Sequence, residues 1–114
     1  MTTKIKIKLT RTEYEVIRTY VLHASYNLDV ADARSLYEKE TLEVLSTRFE
    51  AKTYKYQKSY NFSFSIAEMV VFMKHIGEAM QLNGSYERAV YGLLYTQQIA
   101  PQITNAVQMR MSFK

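Results

Sequence analysis

Cysteine is absent from the sequence, which excludes disulfide bonds, thiolate nucleophiles and thiolate-bound metals. One proline and three glycines leave few interruptions among plentiful helix formers, a composition that favours a mainly helical domain over a loop-rich or all-strand one. Nowhere do about 20 apolar residues follow one another, as a membrane span would require, and the N-terminus has no unbroken apolar run typical of a signal peptide. We therefore expect a cytoplasmic protein with no membrane association.

A chain of 114 residues is long enough for one core and too short for two, which predicts a single domain over residues 1–114. The net charge of +4 is compatible with a nucleic-acid partner and equally with an ordinary solvated surface. Charges are concentrated in the first half, because residues 1–58 hold 11 Lys and Arg with 8 Asp and Glu, and the remainder holds 4 and 3. The second half is expected to supply most of the core or a partner interface.

Two short stretches alternate polar with apolar residues, the pattern of a half-buried strand. In residues 4–9, Ile5, Ile7 and Leu9 share one face, and lysines occupy the other. In residues 60–64, the aromatic side chains of Tyr60, Phe62 and Phe64 share one face, opposite two polar side chains. Paired strands of this kind would present one apolar and one polar face.

Each stretch runs into a capping box, in which a hydroxyl and a carboxylate three residues later satisfy free N–H groups at a helix start. The boxes are Thr10 with Glu13 and Ser65 with Glu68. Apolar stripes at spacings of three and four residues follow both boxes and predict about four helices in all. Asn83-Gly84 is predicted to end the third helix through a left-handed turn, Ser85 to cap the fourth, and Pro101 to kink or end the fourth near residue 99.

Superposing the two capping boxes gives an internal repeat with an offset of 55 residues, which we place at 4–56 and 59–111. Each unit has the order strand, helix, turn, helix. Since a lone strand is unstable, the two strands should pair. The predicted fold is mainly α within the α+β class, with two β-α-α repeats and a short two-stranded antiparallel ribbon packed on about four helices.

This arrangement resembles the ribbon-helix-helix family of DNA-binding proteins, in a tandem form where one chain supplies both halves of the usual dimer. The resemblance is carried by residues 4–10 with Glu13, by residues 62–65 with Glu68, and by residues 83–89 at the turn into the second helix. It covers most of residues 4–98. It implies a ribbon that enters the major groove of duplex DNA and a helix start that meets a phosphate.

Carried onto this sequence, the resemblance predicts a small DNA-binding protein that acts as a transcriptional regulator or as an accessory factor of a mobile element. Its groove-facing side chains would lie on the polar face of the ribbon, with Ser85 at the phosphate contact. The sequence departs from the family in having Asp29 and Asp32 at the first turn and no basic residue on the polar face of the second strand. The predicted nucleic-acid-binding residues are Lys4, Lys6, Lys8, Asn61, Ser63 and Ser85.

No pattern in the sequence indicates catalysis, a cofactor or a metal. His23 and His75 are the only histidines, and neither has a second ligand at a metal-binding spacing, so we interpret both as ordinary residues. The glutamates are typical of helical surfaces, and no Gly-rich phosphate loop occurs. A non-enzymatic protein is expected, and the sequence specifies no small-molecule ligand.

Two alternatives remain open at the level of sequence. Arg48 and the three lysines of residues 52–58 are interleaved with tyrosines that could stack on single-stranded bases, although cations near a helix end more often lie on a solvated face. The second half is rich in Tyr and Met, residue types that suit protein interfaces and adaptable cores. The alternative function is therefore a helical protein-protein interaction module that forms a homodimer through that half.

Overall fold

Strands and helices follow one another in the order β–α–α–β–α–α in the computed structural model, which describes residues 3–112. The predicted α+β class, mainly helical with one antiparallel ribbon and four helices, is confirmed. The repeat boundaries at 4–56 and 59–111 stay a prediction. The elements are β1 (Lys4–Leu9), α1 (Arg11–Asn27), α2 (Ala33–Glu50), β2 (Tyr60–Ser65), α3 (66–83) and α4 (85–112).

The first helix of each half begins at a complete capping box, as predicted. The hydroxyl of Thr10 accepts a hydrogen bond from the N–H of Glu13, and the Glu13 carboxylate accepts one from the N–H of Thr10. Ser65 and Glu68 repeat both bonds. Thr10 comes directly after β1 and Ser65 is the last residue of β2, so each helix begins without a loop where its strand ends.

The ribbon buries one face and exposes the other. Along β1 exposed and buried residues alternate strictly, and along β2 the same alternation runs from Tyr60 to Phe64. The buried aromatic residues stack on α1 and α2, with ring centroids 4.2 Å apart for Tyr14 and Tyr60 and 4.0 Å apart for Phe49 and Phe62. Burial of this face fixes the register, since a slip by one residue would turn every apolar side chain to water.

The core lies between the apolar face of the ribbon and the four helices. The hydroxyl of Tyr14 donates a hydrogen bond to the backbone carbonyl of Phe49, so the polar end of this buried ring is satisfied. The buried apolar side chains form one cluster. Its members under the ribbon and on α1 and α2 are Ile5, Ile7, Leu9, Tyr60, Phe62, Phe64, Tyr14, Ile17, Val21, Leu42, Leu45 and Phe49.

Each of the last two helices contains one widened turn. In α3 it spans Met73–Gly77, between regular segments Ile66–Phe72 and Glu78–Asn83. In α4 it spans Tyr95–Ile99, between Ser85–Leu94 and Ala100–Ser112. Such π turns insert one residue into the helical hydrogen-bond pattern and recur at functional sites.

Pro101 does not end the fourth helix, so the predicted end near residue 99 is wrong, while the alternative of a kink stays a prediction. Proline lacks an N–H and its ring clashes with the carbonyl one turn before it. The π turn lies immediately before it, where the N–H of Ala100 bonds to the carbonyl of Tyr95, and the helix continues to residue 112. The wide turn therefore accommodates the proline without a break.

Candidate nucleic-acid interface

The polar face of the ribbon brings together five of the six residues predicted from the sequence. Lys4, Lys6 and Lys8 are exposed on β1, and Asn61 and Ser63 are exposed on β2. Residues two apart along a strand are separated by about 6.7 Å, so the outer lysines lie about 13 Å apart along β1. Neither strand contains an acidic residue. The face is thus cationic along one strand and neutral along the other.

The antiparallel register sets lysines opposite the polar residues of β2. Lys6 pairs with Ser63 and Lys8 with Asn61. The backbone N–H and C=O groups of both lysines point away from β2, because they bond to side chains on the other side of β1. These pairs are therefore the non-hydrogen-bonded ones, in which Cα atoms approach to about 4.5 Å and side chains lie close. Lys6 and Lys8 thus each lie opposite an uncharged side chain that can form hydrogen bonds.

Two glutamines of α4 cover the outer edge of β1. Gln102 accepts from the N–H of Lys6 at 2.8 Å and donates to its C=O at 2.6 Å. Gln98 does the same for Lys8, at 2.7 and 2.9 Å. The spacings match, because four helical residues rise about 6 Å and two strand residues about 6.7 Å. We call this pair of side chains the glutamine clamp; it satisfies the exposed edge as a third strand would.

The outer edge of β2 is held differently. Arg48 of α2 donates to the carbonyl of Ser63 at 3.3 Å and forms a two-pronged ion pair with Glu68, at 3.0 and 2.7 Å. Burial pushes the pKa of Glu68 upward, but the hydrogen bonds from Arg48 and Ser65 outweigh it and hold that pKa below its ordinary value. Each second helix thus reaches the strand of the other half of the chain, which fixes the ribbon from both sides.

The strand pairing is centred on two equivalent residues. Ile7 pairs with Phe62, which stands 55 residues after it. The same offset separates Thr10 from Ser65, the caps of α1 and α3. An approximate twofold axis therefore passes through the pair Ile7 and Phe62. Around this axis the two strands and the caps of α1 and α3 correspond, while the exposed side chains do not, since lysines lie only on β1.

Ser85 lies outside the ribbon, and its predicted capping role is wrong. The N-cap of α4 is Gly84 in an extended conformation, and Ser85 is the first helical residue. No residue in the described range has a positive φ, so the turn at Asn83-Gly84 is extended where a left-handed one was predicted. A Cβ on Gly84 would meet the carboxylate of Glu87 at 2.5 Å. That carboxylate lies next to the start of α4, where its negative charge would repel a phosphate.

The N-terminus of α2 is also occupied by a carboxylate. Asp32 accepts a hydrogen bond from the N–H of Ser35 at 2.8 Å and from its hydroxyl at 2.9 Å. These bonds, the backbone one first, hold the pKa of Asp32 below its ordinary value. A phosphate at this helix start would meet the negative charge of Asp32.

The basic and aromatic segment 51–59 is divided between structural and exposed residues. Lys52 lies 5.0 Å from the centre of the Phe62 ring. Arg11 lies 5.4 Å from the ring centre of Tyr56, while Tyr54 is 89% exposed. Lys55 and Lys58 are exposed as well. The segment therefore offers two lysines and two exposed tyrosine rings at one end of the ribbon.

A second polar cluster, which the sequence did not reveal, lies between α2 and α3. Glu38 is 7% exposed, and its carboxylate binds His75 Nε2 at 2.7 Å and Lys74 Nζ at 3.0 Å, with Arg34 Nε at 3.4 Å. The bonds from His75 and then Lys74 hold the pKa of Glu38 below its ordinary value. The sequence signal was weak, because Glu38 is 36 residues from Lys74 and the helical pattern of α2 is blurred.

Comparisons with protein-family models, with characterised proteins and with solved structures find no match to this chain. Within residues 3–112, no helix is both long enough and apolar enough to cross a membrane. In the same range, His, Asp and Glu side chains nowhere gather in a group of three that could hold a metal ion. The geometry of the ribbon and of its surroundings is therefore the basis for a functional assignment.

Proposed function

We propose that this protein binds duplex DNA through the exposed face of its ribbon, as a tandem member of the ribbon-helix-helix class. The observation that carries the proposal is the antiparallel ribbon with Lys4, Lys6 and Lys8 on one strand and Asn61 and Ser63 on the other. A major groove about 12 Å wide admits a two-stranded ribbon, and lysine and asparagine can bond to the acceptors and donors of base edges. A role as a transcriptional regulator or mobile-element accessory factor in the cytoplasm is part of this proposal.

The arrangement of the edges supports the same function. The glutamine clamp and Arg48 bond to the outer edges of both strands, which restrains the ribbon from either side. A restrained ribbon loses little conformational entropy when it enters a groove. The approximate twofold axis at Ile7 matches the local twofold symmetry of a DNA duplex. The one-sided lysines imply an asymmetric contact, with the β1 side closer to the phosphates.

The test is a titration of a labelled duplex of about 30 base pairs, a length set to exceed the ribbon's footprint, at several salt concentrations. Replacing Lys4, Lys6 and Lys8 together by alanine should reduce the slope of log affinity against log salt by about one for each phosphate that a lysine no longer neutralises. Asn61→Ala should change the preference among duplex sequences while leaving the salt slope intact, because asparagine reads bases and carries no charge.

A matched control removes the same charge from other surfaces. Lys55, Lys58 and Arg110 are exposed and have no ion pair within the described structure. If the ribbon binds DNA, the control triple variant should lose much less affinity than the ribbon triple variant. Equal reductions in affinity would indicate a nonspecific charge effect, and a larger reduction in the control would assign binding to the surfaces of Lys55, Lys58 and Arg110. Either result contradicts the proposal.

Self-association is the second candidate, and the end of α4 favours it. Val107 and Met111 are one helical turn apart and exposed at 51% and 65%. Apolar residues at this spacing form a stripe that a second copy could cover. Light scattering after size exclusion should then show a dimer that Val107→Ser with Met111→Ser converts to monomer. A monomeric parent protein would exclude this alternative.

A further inference from the structure

A cleft opens between α1 and α3, away from the ribbon, with a volume of about 510 Å³. Ala24 on α1 and Ala79 on α3 line it, and their short side chains leave a space that larger residues would fill. Leu28 adds apolar surface at the end of α1. The volume lies within the range of about 300 to 1,000 Å³ typical of small-molecule sites. The cleft is large enough for a ring-sized molecule.

His75 lines one side of the cleft and supplies a hydrogen-bond acceptor. His75 belongs to the π turn of α3, and its Nε2 faces the buried carboxylate of Glu38 at 2.7 Å. An ionised carboxylate only accepts hydrogen bonds, so Nε2 must carry the ring proton when the imidazole is neutral. Nδ1 then holds the free lone pair and has no partner among the hydrogen bonds within residues 3–112. The cleft therefore contains an imidazole with a defined tautomer.

Tyr20 of α1 also lines the cleft and supplies a hydrogen-bond donor. The Tyr20 hydroxyl accepts a hydrogen bond from Asn83 Nδ2 at 2.6 Å. Its own proton has no acceptor in the part of the chain that the structure describes and can bond to a ligand. Lys74 and Arg34, which bind Glu38, both lie outside the cleft lining. The lining itself contains no Asp, Glu, Lys or Arg side chain that could pair with an ionic ligand.

We propose that the cleft binds a small, flat, uncharged aromatic molecule with an N–H or O–H group, of the indole or phenol class, whose donor bonds to His75 Nδ1. The alanines and Leu28 contact the ring, and Tyr20 bonds to an acceptor atom where the ligand has one. Glu38 is a positioning residue, because it fixes the tautomer of His75 without touching the ligand. The site is independent of the ribbon and of DNA binding.

The chain contains only two histidines, His23 and His75, and both line the cleft, so NMR of their side chains is a direct test once the signals of the two are assigned. In uniformly ¹⁵N-labelled protein at alkaline pH, His75 should show the Nε2–H tautomer, because the carboxylate of Glu38 can only accept a hydrogen bond. Indole should shift its Nδ1 signal as the nitrogen accepts a hydrogen bond, and toluene, which has no donor, should leave it in place. An Nδ1 signal unmoved by saturating indole, or moved equally by toluene, would overturn the proposal.

Variants locate the site and define the role of Glu38. Ala79→Leu should abolish the indole response by filling the cleft, whereas Leu82→Ala, at an 85% exposed position of the same helix, should preserve it. Glu38→Gln should mix the tautomers of His75 and weaken indole binding about tenfold, the equivalent of one hydrogen bond. Toluene binding should not respond to Glu38→Gln. A response to indole that survives Ala79→Leu in the folded variant would place the ligand elsewhere.

Discussion

Replacing Gln98 by alanine should free the outer edge of β1 at one residue, Lys8, and leave the rest of the strand paired. The glutamine makes two hydrogen bonds to that residue, at 2.7 and 2.9 Å. At about 1 kcal/mol for each neutral bond, the substitution should cost about 2 kcal/mol as an upper value, because water can reach the freed edge. The amide proton of Lys8 should then exchange roughly thirtyfold faster.

Hydrogen exchange followed by NMR separates the two halves of the clamp. Gln98→Ala should release the Lys8 amide and spare that of Lys6, and Gln102→Ala should do the reverse, because each glutamine bonds to a single lysine backbone. Gln97→Ala is the matched control, since it removes an exposed glutamine from the same turn. The amides of Ile5 and Ile7, which point toward β2, should stay protected throughout.

The clamp should also affect DNA binding if the ribbon is the interface. A variant lacking both glutamines leaves every lysine in place, so the salt slope should persist while affinity falls as the ribbon becomes less rigid. Amides of Lys6 and Lys8 that exchange freely in the unaltered protein would refute the clamp itself. Protected amides that ignore both substitutions would show that something other than the glutamines covers this edge.

Three further expectations concern stability. Gly77→Ala should destabilise the protein, because the new Cβ would lie 2.8 Å from Cε1 of Tyr91 and closer still to the end of that ring. Gly92→Ala has nothing within 4 Å of its Cβ and should raise the free energy of unfolding by about 0.5 to 1 kcal/mol in thermal or urea unfolding. Burial raises the pKa of Tyr91 to about 12, so the free energy of unfolding should fall between pH 10 and 12 as the unfolded tyrosine ionises first; a flat profile would contradict this. The pKa of Glu38 is lowered in the folded protein, first by His75, so this carboxylate stabilises the fold at pH values above its ordinary pKa of 4.5. That stability is lost as the pH falls through the folded pKa. Acid unfolding of Glu38→Gln should lack this contribution.

Local patterns determined the ribbon and its exposed face. A period of two in residues 4–9 and 60–64 separates lysines from isoleucines whatever the rest of the chain does, because successive side chains of a strand point to opposite faces. The capping boxes at Thr10 and Ser65 are equally local, since each bond joins residues three apart. For these reasons the strands, their polarity and the starts of α1 and α3 could be predicted from the sequence.

The continuation of α4 could not be predicted, because it depends on how Pro101 is accommodated. From the sequence, a proline after a helical pattern indicates an end or a kink. The π turn at Tyr95–Ile99 provides the alternative, and the helix then carries Gln98 and Gln102 to the edge of β1. Nothing in the local sequence distinguishes these two glutamines from Gln97.

The candidate sites divide in the same way. The sequence by itself determined which side chains share the polar face of the ribbon, since that follows from strand periodicity. Only the tertiary structure decided that Gln98 and Gln102 close the edge of β1 and that Glu38 fixes the tautomer of His75. These contacts join residues 37 to 96 positions apart, and such distances are set by the packing of helices on the ribbon.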